Sequence, residues 1–248
     1  MRLTLASLAG LGLFLWPFAG LGLPPAAPAV AVAVATLLAL ALVEVGTRRL
    51  DARLLALLTA LAAVDAALRM LLVNGIGGFS PIFFLVLCAG YVFGPSYGFL
   101  TGATALLVSA LATGGVGPWL PYEMFGVGWV GAAAGWAGLT SRRTLVLTLV
   151  GVAAGFAYGA LLDAYDWTYF RGAGGFGWVP GMPLGAALAG FAHFYLVTSL
   201  AWDAFRAAGN AALVLLLGPA VLTALRRLRS RLTLEVVPLP QLHSEQRL

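Results

Sequence analysis

The chain has 248 residues, of which 61% are hydrophobic and only 9% charged, and its mean hydropathy is +0.97. A soluble domain carries about a quarter of its residues as charges, so a water-soluble globular protein is excluded. All basic residues are arginines, and they fall in short stretches between apolar runs; that pattern reads as membrane topology and not as a nucleic-acid-binding stripe.

The apolar runs are continuous in Leu, Ala, Val and Gly. Barrel strands alternate apolar and polar residues over about ten positions, and backbone groups in lipid must otherwise be satisfied within a helix. The expected fold class is therefore an all-α integral membrane protein, a polytopic bundle of about eight transmembrane helices. A crossing of the hydrocarbon core takes about 20 residues. In chain order the segments are 3–22, 28–46, 53–73, 80–94, 97–113, 122–139, 143–163 and a long stretch, 184–226.

The first run follows Arg2 and ends at Pro24-Pro25-Ala26-Ala27-Pro28-Ala29, which resembles a signal peptide. It is longer than a usual signal core and a second segment follows at once, so a retained helix is expected. The second segment carries Glu44, spaced to meet Arg48 one turn later. The third holds Ala52, Ala56 and Ala60 at every fourth position, a spacing that lets membrane helices approach closely. It ends with Asp65 and Arg69 at i,i+4. Cys88 is the only cysteine, so no intrachain disulfide forms, and its apolar neighbours make it a packing residue. Gly94-Pro95 breaks the fourth segment from the fifth, where Gly98 and Gly102 repeat the small-residue spacing, and Gly114 to Pro118 breaks the fifth from the sixth. Trp119, Tyr122 and Glu123 open the sixth, and Asp163 and Asp166 end the seventh ahead of Trp167, Tyr169, Arg171 and Trp178. Counting about 20 residues back from Arg226 at 1.5 Å each puts Arg206 at the membrane boundary. The stretch 184–203 is then expected to lie outside or to re-enter.

Arg2, Arg48/Arg49/Arg53, Arg142/Arg143 and Arg226/Arg227/Arg229/Arg231 mark cytoplasmic ends under the positive-inside rule, and eight crossings satisfy them all, with both termini cytoplasmic. Asp65, Arg69, Trp119, Tyr122, Glu123, Trp202, Asp203, Arg206 and Asn210 then fall toward the outer face, and they are the candidate substrate-binding residues. Charges within a bilayer cost about 2.5–3.5 kcal/mol each, so they pair or line a polar cavity. For Asp65–Arg69 and Asp203–Arg206 an intrahelical ion pair competes with a ligand site, and for the aromatics an interfacial belt does.

Gly94-Pro95-Ser96-Tyr97-Gly98 matches a nucleophile-elbow pattern, but it lies between membrane helices, where the required strand-turn-helix cannot form. Ser96 and His193 are expected at opposite faces, which argues against an intramembrane serine protease. There is no phosphate-binding loop or dinucleotide fingerprint, and the two histidines, His193 and His243, form no metal-ligand cluster; no cofactor and no metal are expected.

The ordered segments resemble the substrate-binding (S) component of an energy-coupling factor (ECF) transporter. They run from the Ala-rich helix ending Asp65-Ala-Ala-Leu-Arg69, through Gly77-Gly78-Phe-Ser-Pro81, to Gly90-Tyr-Val-Phe-Gly94-Pro95 with Gly98 and Gly102. Thr113-Gly-Gly-Val-Gly-Pro-Trp-Leu-Pro121-Tyr-Glu-Met124, Gly128-Trp129, Trp202-Asp-Ala-Phe-Arg206 with Asn210, and Gly218-Pro219 complete the set. The resemblance implies a six-helix substrate-binding core over 51–229, two additional N-terminal helices within 1–50 and a short cytoplasmic tail, 230–248. It further implies capture of a vitamin or similar micronutrient from outside the cell membrane. Partners would be a membrane scaffold subunit, contacted through Ala52, Ala56 and Ala60, and two cytoplasmic ATPases. Loops 113–122 and 164–183 suit a large vitamin such as cobalamin. A membrane enzyme using Asp65, Glu123 or Asp203 as acid or base, or a structural membrane subunit, remains the alternative.

Overall fold

A computed structural model describes residues 2–71, 82–170 and 176–232. The motif Gly77 to Pro81, Arg171, His243 and most of the tail lie outside the described residues. Within them every regular element is a helix. These are α1 (Arg2–Leu15) with a short 3-10 turn (Trp16–Ala19), α2 (Ala26–Gly46), α3 (Ala52–Leu71), α4 (Ile82–Phe93) and α5 (Pro95–Thr113). They continue with α6 (Leu120–Thr140), α7 (Thr144–Tyr169), α8 (Leu184–Thr198), α9 (Leu200–Leu216) and α10 (Gly218–Leu232).

The breaks follow the punctuation. Gly94 adopts φ 103°, open to glycine and strained for other residues, and Pro95 then starts α5, where its missing N–H is no loss. Gly114 closes α5 in the left-handed conformation. The expected long last segment is three helices. Ser199 interrupts it and turns α9 by 63° from α8, and Gly218-Pro219 separates α9 from α10. Arg206 consequently lies more than a turn inside α9 and not at its end.

By length and apolarity four helices can cross a membrane: α1 with its 3-10 turn, α2, α5 and α7; the bent α8–α9 pair makes a fifth. The chain is thus all-helical among the described residues and has the make-up of a membrane bundle.

The centre is built on glycine. α5 packs most extensively on α6, and α4 lies against both. A Cβ on Gly98 or Gly90 would run into the Gly131 carbonyl, and one on Gly131 into that of Gly98. Only hydrogen at these positions lets the three backbones come so close, the mode by which membrane helices gain dispersion contact without a hydrophobic driving force. Around that centre α3 covers α5, α7 joins α6, α9 lies along α7, and α10 reaches back to α4. Cys88 is buried in this core.

The N-terminal helices are part of the same body. α1 and α2 pair with each other and rest on α6 and α5. Gly10 sits against the Phe125 and Trp129 rings, Ser7 Oγ accepts the Trp129 indole N–H at 3.0 Å, and Phe14 meets Tyr122 edge-on at 4.8 Å.

The arginine-bearing ends gather together. Arg2 donates to Thr47 Oγ1 at 2.6 Å, Tyr97 Oη to the Leu54 carbonyl at 3.3 Å, Tyr91 Oη to the Arg143 carbonyl at 3.0 Å and Arg226 to the Arg142 carbonyl at 3.2 Å. Glu44 does not pair with Arg48. The helix ends at Gly46, Arg48 turns to φ 55°, and the buried Glu44 carboxylate meets Arg2 at 3.7 Å instead.

Candidate functional site

The opposite end of the bundle collects the other charges. On α3, Asp65 is fully buried and neither carboxylate oxygen has a hydrogen-bond partner among the described residues. Arg69, one turn on, does not close on it. Its guanidinium donates to Ser109 Oγ of α5 at 2.8 Å and pairs with Glu123 of α6 at 3.7 Å. The intrahelical Asp65–Arg69 pair that i,i+4 spacing permits is thus replaced by a bridge across three helices. A half-buried guanidinium offers five N–H donors in a fixed fork, and a neighbouring helix supplies better-placed acceptors than its own turn.

On α9, Asp203, Arg206 and Asn210 lie on one face, and that face packs on α7. Gly151, Gly155 and Gly159 recur at every fourth position of α7 and leave a groove. Asn210 Nδ2 donates to the Gly151 carbonyl at 3.1 Å, Ala207 fills the space at Gly155, and the Asp203 carboxylate lies against Gly159. Asp203 and Arg206 form an ion pair within the helix, as their i,i+3 spacing suggests, and Arg206 also donates to the Gly155 carbonyl at 3.3 Å. Asn210 Oδ1 is buried without a partner among the described residues. Next to this face, Ser199 Oγ donates to Asp163 Oδ1 at 2.6 Å, tying the start of α9 to the end of α7.

Tyr158 of α7 joins the two groups, and reasoning from the sequence missed it. Its ring is buried edge-on to Phe83 at 4.9 Å, under the Gly126 backbone of α6, with the Arg206 guanidinium over its face at 5.3 Å. Its hydroxyl lies within electrostatic reach of Glu123, Arg69, Asp166 and Arg206, residues of α3, α6, α7 and α9. The signal that pointed to it is the glycine repeat of α7: a tyrosine between Gly155 and Gly159 faces the helix that the glycines admit.

Not every candidate faces this centre. Tyr122 stacks on Tyr165 at 4.2 Å and donates to the Leu13 carbonyl at 3.4 Å, so it serves the docking of α1. Consecutive residues on a helix point about 100° apart, and Glu123 takes the direction Tyr122 does not. Trp119 is exposed, its indole N–H held by the Gly115 carbonyl at 3.2 Å, and Trp202 is exposed on the outer side of α9. Other aromatics close the same end. Trp167, Trp178 and Phe194 form a second apolar cluster, with Phe18 after α1 at 5.3 Å from Trp178 and Phe176 at 5.4 Å from Phe194. His193 is exposed beside Phe176. Ala52, Ala56 and Ala60 are all exposed along α3. Among the described residues no group of three His, Cys, Asp or Glu side chains is placed to hold a metal ion.

Chemically, the centre offers two guanidiniums, a carboxylate (Asp65) without a partner among the described residues, a phenol and aromatic faces in an otherwise apolar bundle. Such a set can bind a polar, ring-bearing molecule by charge-assisted hydrogen bonds and stacking. No protein-family model matches the chain, and neither a curated protein nor a solved structure matches it.

Proposed function

We propose that this chain is the substrate-binding component of an ECF-type transporter, taking up a vitamin or related micronutrient across the cell membrane. The observation that carries the reading is the gathering of Asp65, Arg69, Glu123, Tyr158, Asp203 and Arg206 at the end of the bundle opposite the arginine clusters. Buried charge in a membrane bundle is costly and marks function by default. Asp65 sharpens this, because a fully buried carboxyl with no partner among the described residues must either be held neutral or be completed by a ligand.

In this reading eight crossings place both termini in the cytoplasm and the charged centre toward the outside. Ligand enters from there, and the exposed face of Ala52, Ala56 and Ala60 meets the scaffold subunit, which couples to two ATPases. The segment order supports this assignment, and the N-terminal pair, packed on α6 and α5, buttresses the helix that carries Glu123.

The test is thermal unfolding of the purified protein against a vitamin panel that includes cobalamin, riboflavin and thiamine. A ligand at a hundred times its Kd adds about 2.7 kcal/mol to the folded state, a readily measured rise in Tm. No shift with any compound, together with no retention of scaffold or ATPase subunits on co-expression, overturns the reading.

A further inference from the structure

At the arginine-bearing end, the C-terminal ends of α4 and α6 and the last turns of α10 enclose a cavity of about 240 Å³. Its lining includes Arg142, Arg226, Arg229, Ser141, Ser230 and Tyr91. At about 30 Å³ per water, the space holds several waters or one phosphate-bearing headgroup.

We propose that this cavity binds a phosphate group, such as the one carried by an anionic phospholipid at this end of the bundle.

The charge balance favours an anion. Among the described residues this end carries ten arginines (Arg2, Arg48, Arg49, Arg53, Arg142, Arg143, Arg226, Arg227, Arg229 and Arg231) and two carboxylates. Both carboxylates are occupied elsewhere: Glu44 pairs with Arg2, and Asp51 Oδ1 accepts the Leu54 N–H that opens α3. Neither Arg142 nor Arg226 has a carboxylate within ion-pair distance among the described residues. Arg226 gives one N–H to the Arg142 carbonyl, which fixes its fork at the cavity wall and leaves other donors of its five for a ligand. A planar guanidinium fork matches phosphate oxygens two at a time, and the Ser141 hydroxyl, which accepts the Arg143 N–H at 3.2 Å and keeps its own proton, adds a neutral donor. The cavity lies between helix ends that the positive-inside rule sets at the membrane surface, where basic pockets between helices hold anionic lipid.

The proposal does not depend on the transport reading, because it concerns the other end of the molecule. Its test measures lipid retention by the purified full chain in detergent, using native mass spectrometry with phosphatidylglycerol, phosphatidylcholine or inorganic phosphate added. Wild type is expected to retain phosphatidylglycerol over phosphatidylcholine. The Arg142→Gln/Arg226→Gln variant is expected to bind it about thirtyfold more weakly, the scale of losing two arginines beside anionic lipid. Ser230→Trp, which fills the cavity with the charges kept, is expected to lose it as well. Arg48→Gln/Arg49→Gln, on the same end outside the cavity, is expected to keep it. Retention of inorganic phosphate alone, lost in the same two variants, assigns the site to a free phosphate instead of a lipid. Equal retention of the two lipids by wild type with no retention of inorganic phosphate, or unchanged phosphatidylglycerol binding in Ser230→Trp, overturns the proposal.

Discussion

Arg69 of α3 reaches Glu123 of α6 at 3.7 Å while Asp65, one turn away on its own helix, is left without a hydrogen-bond partner among the described residues. The arginine also holds Ser109 of α5, so three helices meet at one guanidinium. A bridge of that kind fixes the separation of the helices at the charged end.

Glu123→Gln keeps the shape of the side chain and removes the charge that Arg69 meets. The expected outcome is vitamin binding weakened tenfold or more, about 1.4 kcal/mol, with membrane insertion unchanged. Titration of purified variant and wild type with the stabilising compound checks it. Equal affinities would remove Glu123 from the site.

The pair on α9 is more buried, with side-chain exposures of 16% for Arg206 and 1% for Asp203. Arg206→Ala leaves the Asp203 carboxylate against Gly159 without its cation and with the Tyr195 hydroxyl as its remaining side-chain partner, and breaking one partner of a buried pair costs about 3–5 kcal/mol. Asp203→Ala/Arg206→Ala is expected to recover much of that loss. The measurement is a double-mutant cycle on thermal stability; additive losses would show that the two residues do not act as a pair.

The glycine centre makes a contrasting prediction for a residue as small as alanine. Gly98→Ala and Gly131→Ala each drive a methyl group into a facing backbone carbonyl, which cannot rotate aside. Overpacking of this sort costs about 1–3 kcal/mol, read as a lower Tm and poorer yield. Gly12→Ala meets nothing within 4 Å, and in mid-helix it is expected to be neutral or to stabilise by up to about 1 kcal/mol. Equal effects at Gly12 and Gly98 would refute the close approach of α5 and α6.

The proposed threading is open to labelling. Cys88 is buried at 0% exposure, and Cys88→Ala gives a background without thiols. Single cysteines at Gly115→Cys and Arg142→Cys, at the two ends of α6, are expected to react with an impermeant maleimide from opposite sides of the membrane. Labelling of both from one side would show that α6 does not cross the membrane and would overturn the threading.

Much of the architecture was legible because it is local. The apolar runs, the breaks at Gly94-Pro95 and Gly114, and the segregation of arginines from the other charges are read along the chain without knowing what touches what. The single long segment 184–226 was the exception in the helix count. Ser199 is no helix breaker by type, and the 63° turn there coincides with a hydrogen bond from its hydroxyl to Asp163 of α7, a contact between residues 36 positions apart.

The sequence by itself determined that this protein is a bundle of apolar helices with arginines at one end and mixed charge at the other, since hydropathy and composition act segment by segment. Only the tertiary structure decided which charges meet. Spacing allowed Arg69 to pair with Asp65, and Glu44 with Arg48, as readily as Arg206 with Asp203, but the first two were taken by Glu123 and Arg2 from other helices. The rotation of each helix, set by where glycine lets a neighbour approach, turned Glu123 toward Arg69, Tyr122 toward α1, and Tyr158 into the centre. That rotation is a property of packed pairs of helices, and no single segment carries it.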